Sequence, residues 1–390
     1  MKLTAAALVF SLTCVAAHAA QDSERLDALF KEGLAAERAG RYDVAIDNFR
    51  SLLSQAPTPR VKLELARALY LAGQYPESIA QFREIYEQPG TPQTVKRNII
   101  PFMREAELRV MRVRYGARMV TSSNPSRVGE EGSYYVPLLA GSLDYQPPVP
   151  KKVAYGVEPW ASVEKLWQNG LLTKFYGAAR LYKDSDLNEG QFQFAVARQV
   201  PSTKGLFVQA ALDAGVGKDD YYVLPSVEVW KRFRLSNRAG FGVGSQVGYM
   251  KSHNEGASGG FYRPYVFGDW TFLSNATVFG RLSLEHLDAR NSYYSYVTPK
   301  IDFGIALSVG GVNLTPQLTL SKTVFQDYDI FWGKKREDVT WKPALSISWD
   351  RLEWHGVRPE LNVFYEKRES NIDIYDYNQV GGFINLARVF

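Results

Sequence analysis

The sequence predicts an α plus transmembrane β protein: a short domain of helical repeats followed by an antiparallel outer-membrane β-barrel of about fourteen strands. Three observations predict it. Apolar residues recur three and four apart up to about Arg114, and the period then changes to two. The turns between the period-two segments alternate in length. The chain carries 23 Tyr, 21 Phe and 31 Gly, yet its mean hydropathy is only −0.25, and no run of about 18 apolar residues follows the N-terminus. Strands that face lipid on one side and water on the other produce that combination, because every second position is free to be polar. A membrane protein built of helices is excluded.

The N-terminus has the build of a secretory signal over residues 1–19. Lys2 precedes an apolar stretch through Ala5, Val9, Phe10, Leu12 and Val15, and Ala17-His18-Ala19 is a small-x-small cleavage pattern, so the mature chain is expected to begin near Ala20. Leu12-Thr13-Cys14 is a poor lipidation site, since Thr13 fits badly and the apolar stretch would be cut short. With Cys14 removed the mature chain has no cysteine for a disulfide, a thiolate nucleophile or a metal. The formal net charge of +5 is spread along the chain without a long basic run, which gives no sign of nucleic acid as a partner.

Residues 20–109 read as the helical domain, placed in the periplasm by the signal. Val61, Leu65 and Leu69, and again Ile79, Phe82 and Ile85, fall on single helix faces. Gly40-Arg41-Tyr42 with Ala45, Ile46, Phe49 and Pro57 recurs as Gly73-Gln74-Tyr75 with Ser78, Ile79, Phe82 and Pro89, at an offset of 33 residues from Gly40 to Gly73, close to the tetratricopeptide period. In such a pair glycine allows the tight turn, the aromatic plugs the interface, the small residue lets the helices approach and proline ends the second helix. Binding in such arrays usually uses the first helix of each pair, which makes Asp27, Glu37, Arg38, Arg60, Arg67 and Tyr70 the client-binding candidates. A third helix from Val95 to about Arg112, with Ile99, Phe102, Met103 and Ala106 on its apolar side, is expected to cap the array.

Residues 110–390 read as the barrel, with strands near 110–122, 152–165, 171–182, 189–200, 204–214, 221–233, 236–251, 260–271, 274–288, 294–308, 312–325, 338–349, 355–367 and 379–390. Ala239, Phe241, Val243, Val247 and Tyr249 alternate with Gly240, Gly242, Gly244, Gln246 and Gly248. Trp341, Pro343, Leu345, Ile347 and Trp349 place aromatics on either side of an aliphatic middle, the order of a lipid-facing strand between two aromatic girdles. Gln168-Asn169-Gly170, Pro201-Ser202-Thr203, Leu235-Ser236, Ser274-Asn275 and Gly310-Gly311 are short connections, as expected on the periplasmic side. The long polar segments Ser252–Gly259, Gln326–Glu337 and Arg368–Asn378 belong outside the cell. Residues 123–150 are expected to be a long first outer loop, with room to fold into the lumen. Phe390 fits the terminal-strand signal for barrel insertion, so the barrel assembly machinery and outer-membrane lipid are expected partners.

Signs of catalysis are weak. His253, His286 and His355 have no metal-ligand spacing, so neither a metal nor a cofactor is expected. The Gly240–Ser245 run has strand period and lacks the lysine of a phosphate loop. A hydrolase reading would need His286 and a serine such as Ser245 to converge at one depth, and spacing does not establish that. The inward charges Arg281, Glu285, Lys300, Asp302, Arg358, Glu360 and Glu366 are mixed in sign, which suits a wet lumen contacting protein more than a path for an acidic polymer.

The order of parts resembles the surface lipoprotein assembly modulator family, which joins periplasmic tetratricopeptide repeats to a fourteen-stranded outer-membrane barrel. The residues that carry the resemblance are Ala66-Arg67-Ala68-Leu69-Tyr70 with Gly73 and Tyr75, then Asn98-Ile99 and Phe102, then Ser122-Ser123-Asn124-Pro125, and the closing Gly381–Phe390 strand. The resemblance implies transport without catalysis: the repeats capture a client protein, a surface lipoprotein or a secreted protein, and the barrel offers a lumen or a lateral seam. The competing readings are an exopolysaccharide-export porin fused to repeats, a host-association barrel and an outer-membrane enzyme.

Overall fold

A computed structural model describes residues 24–147, 152–218, 220–349, 352 and 357–388. The signal segment with Cys14, together with His355 and Phe390, lies outside the described residues. The chain divides into two compact units, one of helices up to Met111 and one of strands from Arg112.

The helical unit contains α1 (24–38), α2 (Tyr42–Gln55), α3 (Pro59–Leu71), α4 (Tyr75–Glu87) and α5 (Gln93–Val110). Ala45, Ile46, Phe49, Leu65 and Leu69 form its buried core. Both turns within a helix pair are made alike. Gly40 and Gly73 have φ +73° and +79°, a conformation other L-residues rarely adopt, and each turn is closed by the same pair of backbone bonds: Arg41 to Ala36 and Gly40 to Glu37, then Gln74 to Leu69 and Gly73 to Tyr70. Gly33 admits the ring of Phe49, since a Cβ there would stand 2.7 Å from it. The second repeat replaces Ala45 by Ser78, whose buried hydroxyl donates to the carbonyl of Ala66 at 2.8 Å. Thr58 caps α3 by accepting from the Val61 N–H, with Pro59 in the first turn. In α5, Ile99, Met103 and Ala106 are buried, while Phe102 keeps 38% of its surface exposed and turns its ring toward Tyr70 and Phe82.

The strand unit is a closed antiparallel barrel of fourteen strands: β1 (Arg112–Ser122), β4 (Ala154–Leu166), β5 (Leu171–Tyr182), β6 (Glu189–Gln199), β7 (Leu206–Val216), β8 (Tyr221–Arg234), β9 (Ala239–Ser252), β10 (Gly259–Leu273), β11 (Ala276–Ala289), β12 (Tyr296–Val309), β13 (Val312–Asp329), β14 (Lys334–Trp349), β15 (Val357–Ser370) and β16 (Tyr377–Arg388). Closure leaves no sheet edge to face lipid except where a ladder falls short. One ladder does. β1 meets β16 over five residue pairs, Arg118↔Asn385 to Ser122↔Gly381, the shortest in the barrel among the described residues, whereas β1 meets β4 over eleven, from Arg112↔Glu164 to Ser122↔Ala154. Exposed apolar side chains such as Tyr115, Met119, Val227, Val247, Leu282, Phe303 and Ile384 form the outer, lipid-facing wall.

Three expectations are corrected outside the membrane span. The segment Gln326–Glu337 is not a long loop: β13 and β14 run on to Asp329 and from Lys334, leaving a four-residue turn at 330–333. Beyond the membrane both strand faces are wet, so a polar sequence can pair as well as an apolar one. The connections expected over Ser252–Gly259 and Arg368–Asn378 are compact turns, and they share a design with those of β5–β6 and β11–β12. In each, three residues form a 3-10 turn, and a side chain six positions on closes it by accepting a backbone N–H: Asn188 from Tyr182, Ser258 from Ser252, Ser295 from Ala289 and Asp376 from Ser370. Residues 123–150 hold a small two-stranded sheet of β2 (Gly132–Val136) and β3 (Gly141–Tyr145), and Gly129 lies against the carbonyls of Ile374 and Asp376 in the neighbouring β15–β16 turn.

Candidate functional site

In the helical unit the six client-binding candidates divide by their surroundings. Asp27 pairs with Lys31 at 2.7 Å, Arg38 is exposed, and the Arg60 guanidinium stands 5.3 Å over the Phe30 ring. Glu37 is only 6% exposed and receives Arg67 at 2.7 Å, while Arg67 also reaches Glu64 at 3.6 Å. Burial raises the Glu37 carboxyl above the ordinary range, against the opposing pull of Arg67. The Tyr70 ring meets Tyr75 and Phe102 at centroid distances of 5.8 and 5.3 Å, and burial with a hydrogen bond to Glu105 raises its hydroxyl. Glu37, Arg67 and Tyr70 thus hold α1, α3 and α5 together, and Asp27, Arg38 and Arg60 remain at the surface. Beside Arg60 a groove of about 400 Å³ runs between Leu63, Ile85, Pro89 and Val95.

The barrel lumen is lined by aromatic rings laid over glycines of the adjacent strand. A Cβ on Gly242 would stand 2.4 Å from the Phe267 ring, and one on Gly244 would stand 2.5 Å from Tyr265. Gly242 and Gly244 of β9 are therefore spaces for the rings of β10, and Phe279 over Gly304 and Phe364 over Gly381 repeat the arrangement. Cations rest on these rings: Arg281 lies 3.8 Å over Tyr265 and Lys342 lies 4.3 Å over Phe364.

Of the lumen candidates, Arg281, Glu285, Lys300 and Asp302 fall in one neighbourhood on β11 and β12. Arg281 is in register with Asp302. Glu285 accepts from the Tyr296 hydroxyl at 2.7 Å and lies 3.6 Å from Arg263, and Asp302 accepts from Thr319 at 2.7 Å with Lys300 3.3 Å away. Glu360 on β15 receives the Asn385 amide at 3.5 Å, and Glu366, deeper in that strand's partner set, binds Lys342 at 2.9 Å and the Tyr377 hydroxyl. Arg358 stands in register with Ala387, and its side chain lies outside the described residues.

The sequence reading missed the densest cluster. Glu158 on β4 is buried and binds Arg118 of β1 at 2.5 Å and Arg180 of β5 at 2.9 Å; Arg180 continues to Glu189 at 3.1 Å. Arg118 also stands 5.2 Å over Trp160 and 5.4 Å over Phe383, and below it Arg112 and Arg114 share Glu164. The signal was present: Arg112, Arg114 and Arg118 alternate with Val113, Tyr115, Ala117 and Met119, as Glu158, Ser162 and Glu164 do with Val157, Pro159, Ala161 and Val163. Ser245 and His286 do not meet. Both lie on outward-facing positions, His286 opposite Tyr262 and Ser245 opposite Pro264, and His286 bonds Gln326.

Residues 238–390 match the surface lipoprotein assembly modifier family. Residues 30–92 match a tetratricopeptide repeat model, in keeping with the duplicated turns. No curated protein matches the chain. Among solved structures, the outer-membrane channel DcaP of Acinetobacter baumannii aligns with a TM-score of 0.41 at 10% identity, covering 71% of this chain and 97% of that one. An anion-selective porin from Comamonas acidovorans aligns at 0.36 with 9% identity, covering 72% and 100%. The chain is a closed fourteen-stranded β-barrel with an N-terminal tetratricopeptide-type unit, and its C-terminal strands are similar to the surface lipoprotein assembly modifier family.

Proposed function

We propose that this protein delivers client proteins, surface lipoproteins above all, across the outer membrane, the helical unit capturing the client in the periplasm and the barrel supplying the route. The observation that carries the reading is the joining, in one chain, of a repeat unit to a barrel whose C-terminal strands match the surface lipoprotein assembly modifier family. Asp27, Arg38 and Arg60 are the residues we assign to client capture, because they are the first-helix candidates left at the surface. In the lumen, fixed groups of both signs offer an extended polypeptide hydrogen bonds and charge partners without favouring one polymer charge, as an exporter of acidic polysaccharide would. In this reading client folding outside the cell supplies the driving force. Barrel insertion falls to the assembly machinery acting on the closing strand, with outer-membrane lipid around the wall.

Deleting residues 24–110 from the chain in cells tests the division of labour. Clients should then accumulate in the periplasm although the barrel still inserts. Undiminished surface delivery by the barrel alone would sink the assigned role of the helices.

A further inference from the structure

We propose that the outer wall across β9–β12 holds one phospholipid of the inner leaflet, with an acyl chain in a groove floored by Gly268 and Gly280 and the phosphate against Lys231 and Arg238. Strand partners point to the same side of a sheet, so the wall is built in rows. In one row Phe241, Gly268, Gly280 and Phe303 are direct partners on four successive strands, two rings on either side of two residues without side chains. The row nearer the middle of the wall, Val243, Val266, Leu282 and Ile301, is filled. What remains is a groove of about 520 Å³ lined by Gly268, Gly280, Trp270, Val278, Phe303 and Leu235. Trp270, Phe303 and Leu235 are exposed, which places it on the outer face. The lumen glycines Gly242, Gly244 and Gly304 are covered by rings at about the distance of a clash, but these two are not. A Cβ on Gly268 would meet the Gly240 carbonyl at 3.3 Å and the Phe241 Cβ at 3.6 Å, and one on Gly280 the Asp302 carbonyl at 3.3 Å and the edge of Phe303 at 3.9 Å.

Depth decides what fills the groove. Gly268 and Gly280 stand close to the short turn between β10 and β11, within about 15 Å of it at roughly 3.3 Å per residue. That is the periplasmic half of a hydrocarbon core about 30 Å thick, where the outer face meets lipid chains. Lipid is as apolar as the wall, so burial of apolar surface gives no preference there, and packing governs what stays. A gap left unfilled loses the contacts of its lining on one side, whereas a chain lying along the groove makes them.

Charge at the edge of the groove selects the head group. Lys231 faces outward opposite Val243, and its ammonium bends toward the short-turn end, 5.2 Å over the Phe233 ring. Phe233 in turn stacks on Phe241 at 4.9 Å. Arg238 is exposed and precedes Ala239, which lines the groove; its carbonyl accepts the Thr271 N–H at 2.7 Å and so holds the turn against β10. The nearby acids face the lumen, where Asp269 binds Arg232 at 2.5 Å and Asp302 pairs with Lys300. Two cations at the interface with no outward acid beside them among the described residues suit a phosphate. The thioether-linked anchor of a lipoprotein carries none, so the charges favour a phospholipid.

The test uses the full chain in proteoliposomes containing phosphatidylglycerol with a diazirine near the end of one acyl chain, and the labelled positions are found by mass spectrometry. Labelling is expected to concentrate on Trp270, Val278 and Phe303. Gly280→Leu fills the floor and should reduce it there to the level of the remaining wall, whereas Ala210→Leu, an outward change on β7 opposite exposed Val227, should leave it unaltered. Arg238→Gln changes only an exposed turn, so it serves even if Gly280→Leu does not fold; it should lower labelling of the groove about fivefold, the effect of one interfacial cation. Labelling spread evenly round the wall, or persisting undiminished in folded Gly280→Leu or in Arg238→Gln, overturns the inference. Equal labelling by a diazirine diacylglycerol, which has no phosphate, overturns it too, as does displacement of the phospholipid by an equimolar tripalmitoylated cysteinyl peptide, which would give the groove to a client's anchor. None of these readouts depends on client delivery.

Discussion

Replacing Glu158 by Gln should destabilise the barrel by about 3 kcal/mol. The carboxylate is buried and sits between two guanidiniums at 2.5 and 2.9 Å, so the substitution removes two charge-assisted bonds and leaves Arg118 and Arg180 facing each other. Breaking a buried pair from one side costs roughly 3–5 kcal/mol. The lower end applies here because the Arg180 side chain is 36% exposed and can turn fully to Glu189. Glu158→Asp keeps the charge and shortens its reach, and should cost about 1 kcal/mol, the scale of one weakened hydrogen bond. The assay is reversible urea unfolding in lipid vesicles followed by tryptophan fluorescence, to which Trp160, lying under Arg118, contributes directly. A loss below about 0.5 kcal/mol for Glu158→Gln, or equal losses for Gln and Asp, would refute the reasoning, since exposed pairs are worth no more than about 1 kcal/mol.

Other expectations follow from the same packing. Phe49→Ala empties a fully buried site against Gly33 and Phe30 and should cost the helical unit about 3–5 kcal/mol, seen as an earlier loss of helical circular dichroism on heating while the barrel signal persists. Gly244→Val forces a side chain into the Tyr265 ring and should abolish the heat-modifiable folded band on gels, whereas Gly260→Ala, with nothing within 4 Å of its Cβ, should leave that band intact. Because the folded state raises the Glu37 carboxyl above its ordinary value of 4.5, it binds that proton more tightly than the unfolded chain does. The helical unit should therefore be most stable below about pH 4.5 with respect to this group and lose that increment as pH rises through the raised value. Hydrogen exchange of α1 and α3 across that range should show the slope, and Glu37→Gln should flatten it.

The barrel was legible in the sequence because lipid imposes a strict alternation: each of its fourteen strands was anticipated within a few residues. The helix pairs were legible through Gly40 and Gly73, where backbone conformation demands glycine. What escaped depends on neighbours distant in sequence. Nothing local shows that Gly242 is small because Phe267 lies over it, or that Glu158 bridges strands 40 and 22 residues away. The outer ends of β13 and β14 were misread as loop because polarity marks exposure to water and says nothing of pairing. The capped turns hid for another reason: their closing residue changes between Asn, Ser and Asp, and only the six-residue spacing persists.

The central claim, that this protein carries lipoproteins to the cell surface, is tested most directly by deleting it and measuring, by protease shaving and mass spectrometry of intact cells, which lipoproteins remain exposed. The account predicts that one or a few lipoproteins vanish from the surface, accumulate inside the outer membrane and return on complementation. An unchanged surface lipoprotein set, with only polysaccharide or small-solute permeability altered, would contradict it.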